Sequence, residues 1–406
     1  VGRAIMGLGG GSFFTVARIL ANIPTGPSRF TAIKVFSSGV AIGTAAAPFF
    51  AALAVAHDTW QAIFWVLIGE VRLAALLSLA YAPKDPLPHD QWARGGGARI
   101  LLLALISFFL LYVLQRSYYD FYSDGGILIA FLLLSLFSLY TYFHYEFFLS
   151  EPLLKLRDLI SIRYVAGILL FCFTYLLIGA NNYVLPQLLS IGLGYSWENI
   201  GWFQAISLTS TVIALSIMMW ILPKYPAPKK FWIIGFLALA AYALQLSSLT
   251  PSASVWNNVV PAVALSGIFL IFTMGTAGMQ TFRDYADQDI LFTHAQQFKN
   301  MLGQITTAVG TSIATLFLQW RSTVQYGNLN IRIESGNPFF EQEINKLSQY
   351  YSLSTDPVTA LQLAMAEVAR QLGNQATLIA SLEYYHLLFW VALFAVFFSA
   401  LQRVFR

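Results

Sequence analysis

The stretch Val1–Phe14, VGRAIMGLGGGSFF, decides how the rest of the chain is read. It puts five glycines and an arginine into its first eleven residues. A phosphate-cradling loop would need a β-strand before the glycines and a Lys-Ser/Thr pair after them. Neither is present. In a membrane helix, Gly7, Gly9, Gly10 and Gly11 instead let neighbouring helices approach closely. Arg3 then needs its own account. A charge inside a span costs about 2.5–3.5 kcal/mol on insertion scales, so it faces a cavity and a partner, or it snorkels to the interface.

Working outward, the composition agrees with a bilayer environment. The 406 residues are 57% hydrophobic and 10% charged, against roughly 25% charged in a soluble domain. Crossing the hydrocarbon core takes about 20 mostly apolar residues. Eleven stretches qualify: 1–22, 33–56, 61–82, 99–115, 124–144, 163–187, 200–223, 231–250, 256–280, 295–319 and 384–404. Buried strands of soluble proteins are also apolar, but run only about 4–8 residues. The expected fold class is an all-α polytopic membrane protein.

Charge and cysteine content exclude other classes. The net charge of +4 is spread over loops rather than gathered in a stripe, which argues against nucleic-acid binding. The single cysteine, Cys172, has no intrachain partner, and with five scattered histidines it makes no metal site. His57 and Asp58 lie together, but nothing else in the sequence completes an enzyme site with them.

Lys and Arg collect in alternate loops, at Arg29 and Lys34, Lys84 to Arg99, Lys155 to Arg163, Lys224 to Lys230, Arg283 and Lys299, and Arg403 and Arg406. These loops are cytoplasmic by the positive-inside rule, which puts the C-terminus inside and residue 1 outside. A first span that starts outside with no flank is read as following helices upstream of this sequence. Residues 83–98 form a Pro/Gly-rich linker, and residues 152–160, PLLKLRDLI, read as an amphipathic patch on the membrane surface. Residues 320–383 are the long polar segment on the outer side. Within them Asp356 and Pro357 read as N-cap and first helical position. Leu361, Met365, Val368 and Leu372 recur at helical spacing, and a helix around FFEQEINKLSQYY would complete a hairpin. That hairpin reads either as a solvated cap over the last spans or as a docking surface.

Several stretches together resemble one family. GRAIMGLGGG looks like the Arg-x-x-Gln-Gly motif of the fourth helix of the major facilitator superfamily. SGVAIGTAAAPFFAAL (38–53) is similar to the antiporter motif of its fifth helix, and DTWQAIFWVLIG (58–69) to the start of its sixth. PLLKLRDLISIRYVAG, NYVLPQLLSIGLGYS, HAQQFKNMLGQITTAVGTSIAT and QWRSTVQYGNLNIRIESGNPFF extend the likeness to the fourteen-helix drug:proton antiporters, in particular the EmrB-like inner-membrane component of tripartite efflux pumps. Fourteen helices less three leaves the eleven counted from the sequence.

The resemblance implies a division of the chain. Residues 1–82 would be the remainder of an N-terminal six-helix bundle and 83–162 a linker region with two extra transmembrane helices. Residues 163–406 would be a C-terminal six-helix bundle carrying a periplasmic hairpin at 320–383. It also implies that Arg3 takes part in proton coupling with an acid upstream. The motif glutamine is Met6 here. Gly43 and Pro48 of the antiporter motif remain, while its paired glycines read Ala51 and Ala52.

Glu70, near the middle of its span, is a candidate proton carrier; a structural role is the alternative. Arg72 points to another face and reaches the cytoplasmic side or another helix. Tyr175, Asn181, Asn182 and Gln187 are candidate substrate contacts, as are Phe13 and Gln204; interhelical bonding is the alternative for each. Pro186 kinks or ends its helix. Lys299 is expected to meet lipid headgroups or the loop acids Asp287 and Asp289.

The functional expectation is proton-coupled export of hydrophobic or amphipathic drugs across the inner membrane, with no cofactor beyond the proton as coupling ion. By resemblance the substrate passes to a periplasmic adaptor and an outer-membrane channel. The rival within transport is a carrier of one metabolite, such as a siderophore or an aromatic acid. Methylated or cationic drugs would favour an acidic cavity, and the spans carry few acids. A membrane enzyme or a non-transporting scaffold is the remaining reading.

Overall fold

The computed structural model describes residues 13–24, 26–56, 61–81, 96–225, 227–331 and 337–405. Among these the chain is helical throughout, with no strand. The helices are α1 Phe13–Asn22, α2 Pro27–Ala56, α3 Ala62–Tyr81, α4 Gly97–Phe148, α5 Ile162–Gln187, α6 Trp197–Ile221 and α7 Pro228–Ser247. They continue with α8 Val260–Leu270, α9 Thr276–Thr281, α10 Asp289–Asn330, α11 Pro338–Tyr351 and α12 Pro357–Leu401. Wider π-helical turns at Val255–Val259 and Ile271–Gly275 join α8 and α9 into one membrane-length run. Arg3, the glycines at 7–11, His57, Asp58 and most of the 83–98 linker lie outside the described residues.

Nine helices among the described residues are long and apolar enough to cross a bilayer. One of them, α4, is two crossings. Its backbone leaves helical geometry at Asp124 (φ −121°, ψ 29°), just before Gly125 and Gly126. Arg99 near one end then meets Glu146 near the other, with Nη1 donating to Oε1 at 3.3 Å. Residues 47 positions apart on a straight helix would be about 70 Å apart, so the two arms run antiparallel. The separate spans expected at 99–115 and 124–144 are these arms. Glu146 is 1% exposed; it also accepts from the Leu153 backbone N–H at 2.7 Å and so clasps the open end of the pair.

The densest packing joins α5 to α10, and small residues permit it. A Cβ on Gly179 of α5 would overlap the Thr307 carbonyl of α10, and one on Gly310 would overlap the Leu176 carbonyl. Gly303 receives the Tyr175 ring in the same way. Residues 303, 307 and 310 recur at helical spacing and form one groove for α5. Thr311 donates to the Gly179 carbonyl at 3.1 Å across it. The largest core cluster joins α5, α7, α10 and α12, with Trp232, Phe236, Tyr242 and Tyr385 at most 2% exposed.

The α1–α2 pair docks on this body through α6. Gly201 of α6 faces the Pro48 carbonyl and Ala52 of α2, so the smallest residue of the contact lies on the opposite helix. Phe49 stacks edge-on against Trp202 at 4.9 Å, and Thr211 Oγ1 donates to the Ala41 carbonyl at 3.2 Å. At the other end of α2, Arg29 pairs with Asp287 at 3.2 Å, and Asn22 Nδ2 donates to the Ala286 carbonyl at 3.0 Å. The α4 arms lie against α10, where Leu110 and Leu114 pack on Ile305.

Two surface segments pack in ways the sequence pattern did not specify. Residues 152–160 are two-sided, with Leu159 buried and Arg157, Asp158 and Ile160 exposed. Their helical part is the short 3-10 turn Leu156–Leu159, with Leu159 buried among Tyr164, Phe292 and Ala295, because Lys155 N–H is held by His294 Nδ1 at 3.0 Å. In the hairpin of α11 and α12, Asp356 caps α12 by accepting from Thr359 N–H at 3.0 Å. The face of α12 that meets α11 is not the Leu361 stripe. Ala360 and Ala364 are buried there with Ile344 of α11, whereas Leu361 and Met365 are exposed. The small residues win because they permit the closer approach.

Candidate substrate cavity

Between α1–α2 and the α5–α10 body lies a cavity of about 470 Å³. That is within the ~300–1,000 Å³ usual for sites that enclose a drug-sized ligand. Its wall is mostly apolar: Phe36 and Val40 from α2, Phe171 and Ile178 from α5, Met218 and Met219 from α6, and Phe269 and Met279 from α8 and α9. Polar groups are few. They are Ser37, Thr44, Tyr175, Asn181, Asn182, Ser266 and Gln296, with two cations, Arg18 and Lys299.

Three of the substrate candidates reach this wall. Tyr175, Asn181 and Asn182 line it. Asn181 also has a structural task. Its Oδ1 accepts from Tyr242 OH at 2.6 Å and from Tyr385 OH at 3.2 Å, joining α5 to α7 and α12. Its amide nitrogen remains for the cavity, while Asn182 is exposed into the opening. Gln187 and Gln204 are not among the lining residues. Phe13 begins α1, but its side chain lies outside the described residues; its neighbour Phe14 lines the wall.

The other candidates sit elsewhere. Glu70 and Arg72 are exposed on α3, whose only close neighbour among the described helices is α2. A carboxyl on such a face costs several kcal/mol in hydrocarbon unless something covers it. Gly43 has open space where a Cβ would project, whereas Pro48 lies at the α2–α6 contact.

The expectation for Lys299 is overturned. It is 4% exposed, lies about three turns into α10, and faces the cavity rather than headgroups. Its Nζ sits 4.9 Å from the Phe14 ring centre, 5.3 Å from Phe171 and 5.8 Å from Tyr175. Asp287 pairs with Arg29 instead. Asn300, the next residue, donates to Thr15 Oγ1 at 2.7 Å and fixes α10 against α1 at this level. Cation–π contacts are worth about 0.5–2 kcal/mol each. The penalty for taking an ammonium out of water is several kcal/mol, so three rings soften it without replacing a counter-ion.

Arg18 is the second cation and was not picked out from the sequence. It follows Phe14 by one helical turn, so both share a face of α1. Its Nη2 donates to the Gly278 carbonyl at 3.1 Å, and its guanidinium lies 5.6 Å from the Phe36 ring centre. No carboxylate lines the cavity among the described residues. The sequence signal for Arg18 was an isolated cation within an apolar run, and for Lys299 a cation in the polar stretch HAQQFKNMLGQ of a span.

A helical membrane chain with a central cavity between two packed groups of helices has the form of a solute carrier, and the sequence profile of one such family matches residues 1–315. The chain belongs to the major facilitator superfamily. Members of this family are transporters, and the described helices are those of a multi-pass membrane protein. It is also similar to an uncharacterised transporter of the major facilitator type, YhcA of Bacillus subtilis (strain 168). The two are 21% identical over 348 residues, which is 84% of this chain and 63% of that relative. This facilitator chain therefore spans less than two thirds of that relative's length.

Proposed function

We propose that the cavity carries amphipathic organic solutes out of the cell, driven by protons moving inward. The observation that supports this most directly is the 470 Å³ space walled by aromatic and Met side chains, with a few polar groups converging on it. Such a wall binds a solute by apolar burial and orients it by few contacts. Met side chains are flexible and let one pocket fit several shapes. The α1–α2 pair and the α5–α10 body are the two groups whose relative rocking would expose the cavity alternately.

In this reading the basic loops face the cytoplasm and the α11–α12 hairpin faces the periplasm, where an adaptor leading to an outer-membrane channel would dock. The resemblance to EmrB-like pumps supports that arrangement. Arg3 is the proposed proton-coupling cation and Glu70 a proposed proton carrier. The antiporter-motif residues Gly43 and Pro48 belong to α2, which meets the body at Gly201.

The test is proton flux in proteoliposomes holding the full-length transporter, with a pH gradient imposed. An amphipathic dye should collapse the gradient. The collapse should vanish in Arg3→Ala and weaken in Glu70→Gln. A gradient that ignores a broad panel of amphipathic solutes would refute the reading.

A further inference from the structure

We infer that the cavity recognises solutes bearing a negative charge, a carboxylate or comparable acid on an aromatic or apolar body, and that Lys299 with Arg18 is the acid-binding end. This rests on the transport reading of the same cavity and names its substrate class.

Four observations converge. Lys299 is almost fully buried, yet among the described residues its Nζ has neither a hydrogen bond nor an ion pair; its neighbours are the faces of Phe14, Phe171 and Tyr175. Arg18 shares a helix face with Phe14, and only one of its donors is engaged, with the Gly278 carbonyl. Gln296, 2% exposed, stands one turn before Lys299 on α10 and adds an amide. No acid lines the wall among the described residues to neutralise the two cations.

Charged groups held inside a membrane protein pair with one another or mark a solute path. Two cations with no acid beside them among the described residues leave room for a ligand anion. An ammonium and a guanidinium together hold a carboxylate by charge-assisted hydrogen bonds. The same rings that contact Lys299 would flank the body of an aromatic acid, so charge and apolar recognition lie side by side. A cationic solute would meet two like charges in a mostly apolar site.

The experiment uses purified full-length protein and three matched probes: 2-naphthoate, the neutral 2-naphthamide, and tetraphenylphosphonium as a cation. Binding is followed by calorimetry, and uptake is measured in proteoliposomes. Naphthoate should bind at least tenfold more tightly than naphthamide. Lys299→Gln should weaken naphthoate tens of fold, to the level of naphthamide, and leave naphthamide unchanged. Lys299→Arg should restore most of the preference. A shift of that size matches loss of one hydrogen bond to a charged group.

Equal binding of the acid and the amide, or a preference that survives Lys299→Gln, overturns the proposal. If vesicles take up tetraphenylphosphonium but neither bind nor carry naphthoate, the transport reading stands and the anion site falls. If naphthoate binds with a Lys299-dependent preference but no probe crosses the membrane, the site stands and the transport reading falls.

Discussion

Asn181 shows how one side chain can serve stability and ligand contact together. Its carbonyl oxygen is taken by Tyr242 and Tyr385, and its nitrogen is left beside the cavity. Tyr242 and Tyr385 also lie 3.3 Å apart at their hydroxyls, so Asn181→Ala would leave one of the two buried phenols without an acceptor, at a cost of about 1–3 kcal/mol. The melting temperature in detergent should fall, and ligand binding should weaken with it. Asn182→Ala removes an exposed group and should weaken binding with an unchanged melting temperature. If both variants melt like the parent, the tyrosine pair is not what holds Asn181. The sequence showed that this position is polar within a span. It could not show that the acceptor belongs to partners 61 and 204 residues away. Lys299 was harder still. Its number on the helix was legible, but its direction depends on which rings α1 and α5 bring opposite.

At the scale of helices, the closest approach is between α5 and α10, and glycine is required there for space. Gly179→Leu or Gly310→Leu would push a side chain into a backbone carbonyl. Overpacking of this kind costs about 1–3 kcal/mol or more, so both variants should give low folded yield and a lower melting temperature. Gly43→Ala meets open space among the described residues and should melt like the parent. A neutral Gly310→Leu would disprove the close crossing.

The α12 cap gives a pH test. The Asp356 carboxyl is held below its ordinary value, first by the hydrogen bond from the Thr359 hydroxyl and then by the Thr359 N–H. Its stabilisation is therefore present above the usual Asp range and is lost as pH falls through the lowered value. Amide exchange at 360–364 should stay slow at mildly acid pH and quicken only in stronger acid. In Asp356→Ala it should be fast throughout.

Over the whole molecule, the spans were legible because length and apolar content alone separate a bilayer helix from a buried strand. The fold-back within residues 97–148 was legible as two separate apolar stretches, 99–115 and 124–144, while the site of the kink at Asp124 was not. The cavity was not, because it forms between helices distant in sequence and no local pattern encodes which faces meet. Orientation is testable directly. A fluorescent protein fused after Arg406 should glow, and alkaline phosphatase inserted near Leu353 should be active, if the basic loops face the cytoplasm. The reverse pattern would invert the topology.

The long helices carry one more consequence. α10 has 42 residues and α12 has 45, or about 63 and 68 Å at 1.5 Å per residue, against a hydrocarbon core of about 30 Å. Beside the outer edge of the core cluster, whose first α12 member is Leu378, Arg321 grips Glu383 through two bonds of 2.7 Å, and Gln325 adds a third at 2.8 Å. The projecting part of α12 is thus a lever clamped at its fulcrum. Residues 357–377 extend about 32 Å, so a tilt of about 10° at the base would sweep the far end sideways by about 6 Å. Were the proposed transport cycle to tilt these helices, anything resting on that end would be pushed sideways with it.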